Sequence, residues 1–185
     1  MTLGWTSGNG ARRIVVARAS SVVNQNPTDG MNYTANAAFG SGADLGSGNF
    51  VVYDGTGNSV SLTSLTAGTT YHFRIFEYNG TGVTTNYFLT SPSNSKPTLV
   101  NEPTTAATSI TFSSVTTTSM TVGWTNGNGA NRMVIARASS AVNQQPVDAS
   151  TGYVANAVFG SGIDLGSGNF IVYSGTGNSV NVTGL

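Results

Sequence analysis

The chain has 185 residues, of which 38% are hydrophobic and only 8% charged, and its 7 basic and 7 acidic side chains cancel to zero net charge. A surface so short of cations offers no basic patch to nucleic acid and no attraction to an anionic membrane, and no run approaches the roughly 18 apolar residues of a membrane span. With no cysteine present, disulfide frameworks, thiol chemistry and cysteine-ligated zinc all drop out.

Residues 1–65 recur as residues 120–185, with about 46 of 65 aligned positions identical and one extra residue near Ser150. A period of about 119 residues points to two copies of one domain-sized unit. Met1 aligns with Met120, an interior residue, so Met1 need not be an initiator. Both ends are expected to be cut points within a longer tandem array.

In chain order, Thr2 to Thr6 reads as a strand and Ser7-Gly8-Asn9-Gly10 as a turn. Arg12 to Ala19 carries apolar residues on both parities, the pattern of a central strand covered on both faces. The second copy keeps it in Met133, Val134, Ile135 and Ala136. Ser20 to Gly48 is a long, polar, Gly-rich connection, of a length that is usually functional or folded on itself. Its recurring Tyr33/Tyr153 and Phe39/Phe159 are expected to pack it over the neighbouring sheet. Phe50 to Tyr53 and Ser59 to Leu65, around Gly55-Thr56-Gly57-Asn58, read as a hairpin.

Tyr71, Phe73 and Ile75 alternate with His72, Arg74 and Phe76, which predicts a strand with one apolar face. Asn79-Gly80 ends it, and Thr85 to Leu89 is the last strand of the unit. Ser91 to Pro103, with Pro92, Pro97 and Pro103, reads as a semi-rigid joint. Ser109 to Val115 then gives a strand without an upstream counterpart. Short strands between turn signals, with no helical period, make the chain an all-β sandwich protein. The expected division is a first repeat at 1–98 lacking its first strand, a linker at 99–104, and a second repeat at 105–185 lacking its last two strands.

Leu65 to Gly80 occurs once, since the second copy stops at Leu185, the counterpart of Leu65. Without its own version of Tyr71, Phe73, Ile75, Tyr87, Phe88 and Leu89, the second unit gives up on the order of 9 to 18 kcal/mol of side-chain burial. Total domain stability is only about 5 to 15 kcal/mol. The expected partner is therefore the protein itself, as continuing chain or as a neighbouring subunit supplying the missing strands.

Trp5 and Trp124, followed by Leu65-Thr66-Ala67-Gly68-Thr69-Thr70-Tyr71, resemble a fibronectin type III-like domain, an immunoglobulin-like sandwich. In such folds a tyrosine hydroxyl ties back to the backbone at a sheet-crossing corner, and the resemblance gives that role to Tyr71. It makes Trp5, Trp124, Leu65, Tyr71, Phe73 and Ile75 structural residues. The connection is longer than the usual domain allows. Its wording, NQNPTDGMNYTANAAFGSGADLGSGN, is similar to a bacterial subgroup of large secreted or cell-surface repeat proteins. What the resemblance implies is an extracellular or cell-surface structural unit of a filament or adhesin stalk; the alternative is a carbohydrate-binding or spacer module of a secreted enzyme.

Catalysis needs a nucleophile with a base, paired carboxylates or a metal set, and none is legible. No enzyme activity and no cofactor is expected. The single histidine, His72, has outward parity and reads as a surface residue. Asp44 and Asp164 recur in Gly-rich loops; one carboxylate per loop falls short of the 6 to 8 oxygen ligands calcium takes, so loop anchoring leads and calcium is the alternative. Glu77 has inward parity and calls for Arg13 or Arg18 as a partner. Asn32, Asn79 and Asn181 open N-glycosylation triplets. Tyr33, Tyr153, Tyr78 and Phe76 are candidates for a glycan-stacking platform, against packing beneath the connection.

Overall fold

In the computed structural model, which describes residues 1–185, the first of two units, Met1–Asn101, contains seven strands. They are β1 (Thr2–Gly4), β2 (Arg12–Ala19), β3 (Phe50–Gly55), β4 (Ser59–Ser61), β5 (Thr70–Asn79), β6 (Asn86–Tyr87) and β7 (Ser93–Pro97). These strands pair antiparallel throughout, and one parallel bridge, Ala38↔Thr63, ties the long connection to the residues after β4. The main sheet runs β3-β2-β5-β6, with β7 also on β5, and a second sheet joins β1 to β4. The double parity of β2 has the predicted outcome, since Ile14, Val15, Val16 and Ala17 are all at 0% exposure.

Three layers result. On one face of the main sheet, Val15, Ala17, Val52, Tyr71 and Phe73 pack with Leu3, Val60 and Leu62 around the β1–β4 pair. On the other, Ile14, Val16, Val51, Phe76 and Tyr78 meet Tyr33, Ala35, Ala43 and Leu45 of the long connection. The connection is thus a wall of the core. Its two ends are pinned by Asn49, wholly buried, whose amide donates to Asn24 Oδ1 at 3.0 Å and to the Gly46 carbonyl at 2.6 Å. Where it passes over β3, Gly42 comes so close that an added Cβ would lie 2.0 Å from the Val51 carbonyl oxygen, a contact only glycine allows.

Three expectations need correction. The two strands around Gly55–Asn58 form no hairpin: β3 pairs with β2, whereas β4 pairs with β1 in the other sheet. Val51 and Val52 are both buried, so β3 needs cover on both faces and joins the main sheet, while Val60 and Leu62 supply one apolar face for the outer pair. The turn between them is closed by Gly57 N donating to Tyr53 Oη at 2.6 Å, and by Arg13 Nη1 donating to the Thr56 and Gly57 carbonyls.

Strand β5, secondly, is apolar on both faces. Tyr71 and Phe73 fill one, and Phe76 and Tyr78 fill the other beneath the connection. Phe88 and Leu89 lie outside the core, 63% and 46% exposed, and Ile75 is half-buried. Thirdly, the segment expected as a joint contributes β7, in register from Thr70↔Pro97 to Arg74↔Ser93. Its proline ends an edge strand, where a missing N–H costs nothing.

The second unit, Glu102–Leu185, holds β8 (Thr108–Ser113), β9 (Ser119–Thr125), β10 (Arg132–Ala136), β11 (Phe170–Gly175) and β12 (Ser179–Thr183). It rebuilds the first unit's registers. Val122↔Val180 answers Leu3↔Val60, and Val134↔Tyr173 answers Val15↔Tyr53, each of the latter with a bulge at the next residue. Strand β8 adds an edge to β9 that β1 does not have. Within residues 102–185 no strand corresponds to β5, β6 or β7. No helix of the chain is long and apolar enough to cross a membrane.

Candidate interaction groove

Most polar candidates turn out to be builders of the fold. Asp44 Oδ1 and Oδ2 accept from Gly46 N at 2.8 Å and Gly48 N at 3.3 Å, and Asp164 does the same with Gly166 and Gly168. These carboxylates hold their loops, as the anchoring reading has it. No group of three or more histidine, aspartate or glutamate side chains is assembled anywhere. His72 is half-buried on β5, across from Arg18 on one side and Ser95 on the other, and lines a cleft of about 650 Å³ with Val22 and Arg74.

The aromatic platform is not formed. Phe76 is fully buried and Tyr78 is 6% exposed, with the Tyr87 ring lying tilted between Tyr78 and Tyr33 at centroid distances of 5.0 and 6.1 Å. Tyr33 Oη accepts from Thr28 N, and Tyr153 Oη from Val147 N, so both rings brace the connection. Of the glycosylation candidates, Asn32 accepts from Thr85 Oγ1 and Asn79 from Ala11 N; Asn181 is exposed on β12.

Thr66 N donates to Tyr71 Oη at 2.9 Å, tying the ring to the backbone five residues back, and Leu65 packs in the same core. Trp5 meets Tyr53 edge-on at 5.1 Å, with its indole N–H buried and unpartnered. In the second unit Trp124 Nε1 donates to Asn126 Oδ1, at a position where the first unit has the shorter Ser7.

Two ionic clusters cross the main sheet. Arg13, 4% exposed, pairs with Glu77 through Nε–Oε1 at 3.0 Å and Nη2–Oε2 at 3.3 Å, and Gly8 N also donates to Oε1. Of the two arginines considered, Arg13 is the partner; Arg18 caps the Val22 carbonyl instead. On the opposite face, Arg12 donates to Asp54 and to Tyr78 Oη, and Tyr78 Oη donates to Asp54 at 2.6 Å. The hydrogen bond to Asp54, then that to Tyr78, raises the Arg12 pKa; burial, then the Asp54 bond, raises that of Tyr78. Burial, with Tyr78 close by, pushes Tyr87 up as well.

The second unit shows what these strands leave behind. Strand β10 pairs with β11 alone, so its other edge presents free N–H and C=O groups. Met133, Val134, Ile135 and Ala136, whose counterparts are sealed, are half-exposed. Between them and β8 lies an apolar cleft of about 360 Å³, lined by Ile110, Phe112, Val134, Ala136, Phe159 and Val172. In the first unit the corresponding Val15, Ala17, Phe39 and Val52 pack against Tyr71 and Phe73, with Phe39 and Tyr71 rings 4.9 Å apart. The cleft lies where β5 side chains sit in the first copy.

Arg132 adds a polar mark to this groove. Its guanidinium donates to the Thr176 and Gly127 carbonyls, much as Arg13 donates to loop carbonyls in the first copy, yet its Nε is buried without a partner. Sequence reasoning missed this atom and the Asn24–Asn49 and Asn143–Asn169 pairs. The signal for the latter was available, because all four asparagines are kept between copies that differ around them. Comparison of the chain with protein-family models, with curated proteins and with solved structures gives no match.

Proposed function

We propose that this chain is a structural repeat unit of a bacterial extracellular filament or long cell-surface stalk, built from tandem fibronectin type III-like sandwiches. The observation that carries the reading is that two near-identical stretches of sequence set the same strand registers and the same bulge. A protein that serves by reach can reuse one module, and stacked modules need only neighbour contacts for stability. The Tyr71 corner and the Leu65 before it support the sandwich class. A surface rich in Thr, Ser, Asn and Gly with zero net charge suits an exposed scaffold.

Strand β5 has ten residues and so spans about 33 Å, which sets a rise of about 35 to 45 Å per module in an extended array. Electron microscopy of the native material is the test. Thin fibres with that axial repeat are expected; globular particles, or a repeat far outside the range, would overturn the proposal.

A further inference from the structure

The groove of the second unit is specific enough to name its occupant. In the first unit one face of β5 presents Tyr71, Phe73, Ile75 and Glu77, opposite Ala19, Ala17, Val15 and Arg13 of β2. The second unit keeps that acceptor row as Ala138, Ala136, Val134 and Arg132. Its apolar members line the open cleft, and its arginine holds a buried Nε with no acceptor, at the position where Arg13 Nε meets Glu77 at 3.0 Å.

We propose that β10 accepts one added antiparallel strand of the pattern Tyr-x-Phe-x-Ile-x-Glu from a polypeptide of the β5 type, and that Arg132 selects it by pairing with the glutamate. Backbone pairing along the β10 edge supplies sequence-tolerant affinity, and the alternate side-chain pockets and the ion pair supply choice and register. A slip by one residue would turn the glutamate to the other face and leave Arg132 unpaired.

The opposite face sharpens the selection. Arg12 and Asp54, which bind Tyr78 in the first unit, are replaced together by Asn131 and Ser174. The second groove therefore asks for the glutamate without asking for a phenol beside it. This inference stands on the groove alone, and holds or fails independently of the filament reading.

The test uses the whole chain and a synthetic peptide of residues 67–79, AGTTYHFRIFEYN. Saturable one-to-one binding is expected, with new amide-exchange protection confined to residues 131–138. A peptide with Glu77→Gln should bind at least about tenfold more weakly, because it leaves a buried guanidinium uncompensated. A Tyr78→Phe peptide should bind within about twofold of the parent. Against an Arg132→Gln chain the Glu and Gln peptides should bind alike; should that variant not fold, the peptide series on the unaltered chain decides. Equal binding of the Glu and Gln peptides, protection appearing in the first unit through exchange with β5, or a chain that buries residues 132–136 by self-association would each overturn the proposal.

Discussion

Glu77→Gln tests whether the ion pair between β2 and β5 holds the first unit together. Side-chain exposure is 5% for Arg13 and 15% for Glu77, so solvent screens the pair little. Removing one partner of a buried pair costs about 3 to 5 kcal/mol, chiefly because the other charge stays buried. Glutamine keeps one oxygen that can accept from Arg13 Nε or Gly8 N, but it turns an amide N–H toward Arg13 Nη2; the expected loss is at the low end, about 3 kcal/mol. For a unit of this size that lowers the melting temperature by about 12 to 24 °C.

Calorimetry on the whole chain reads the shift, and hydrogen exchange in peptides from β2 and β5 assigns it to the first unit. Arg12→Gln is the contrast: its side chain is 43% exposed, so its pair with Asp54 should be worth under about 1 kcal/mol. A Glu77→Gln shift below about 4 °C, or one that vanishes in about 1 M salt, would refute the reasoning.

Tyr71→Phe removes the acceptor for Thr66 N while leaving the ring in place, and should cost about 1 kcal/mol, read as a melting shift of about 4 to 8 °C. Alkaline pH should weaken the first unit through Tyr78 and Tyr87. Both phenols have folded pKa values raised above the unfolded value of about 10, so their contribution is fully present below that pH and is lost as pH rises through the folded values. Thermal melts between about pH 8 and 12 check this, and a melting temperature constant across the range would contradict it.

The parts of the fold legible in the sequence are those where one local pattern has one structural solution. Double parity in Arg12–Ala19 could be satisfied only in the middle of a sheet, and a lone inward carboxylate at Glu77 had to meet a cation. What misled was short-range pattern read without the layers above it. The Gly55–Asn58 turn looks like a hairpin until it is seen that β3 needs cover on two faces and β4 on one. Phe76 and Tyr78 share a parity with His72 and Arg74, and only the presence of the connection overhead decides that the second half of that face is buried. Phe88 and Leu89 are apolar, but they follow a two-residue strand and run into solvent. For the groove, the lining residues were in view as a repeat of β2. The orphaned Arg132 Nε was not, since it depends on where the loop carbonyls of Thr176 and Gly127 fall.

The departure of β4 from its neighbour in sequence also sets how the first unit comes into being. Thr2 must find Ser61, and Arg12 must find Tyr78, before β1 or β2 has its full complement of partners. Pairings so distant along the chain fold on the millisecond-to-second scale and leave no early local nucleus around β2. During synthesis at about 5 to 20 residues per second, the run Ile14–Ala17 waits for several seconds with its edges bare. Arg12, Arg13 and Arg18 bracket that run, and Arg132 and Arg137 bracket its counterpart. Charges at the borders of an unavoidable apolar strand discourage it from pairing with the same strand of a neighbouring nascent chain. The arginines that clamp the finished sheet thus guard the unfinished one.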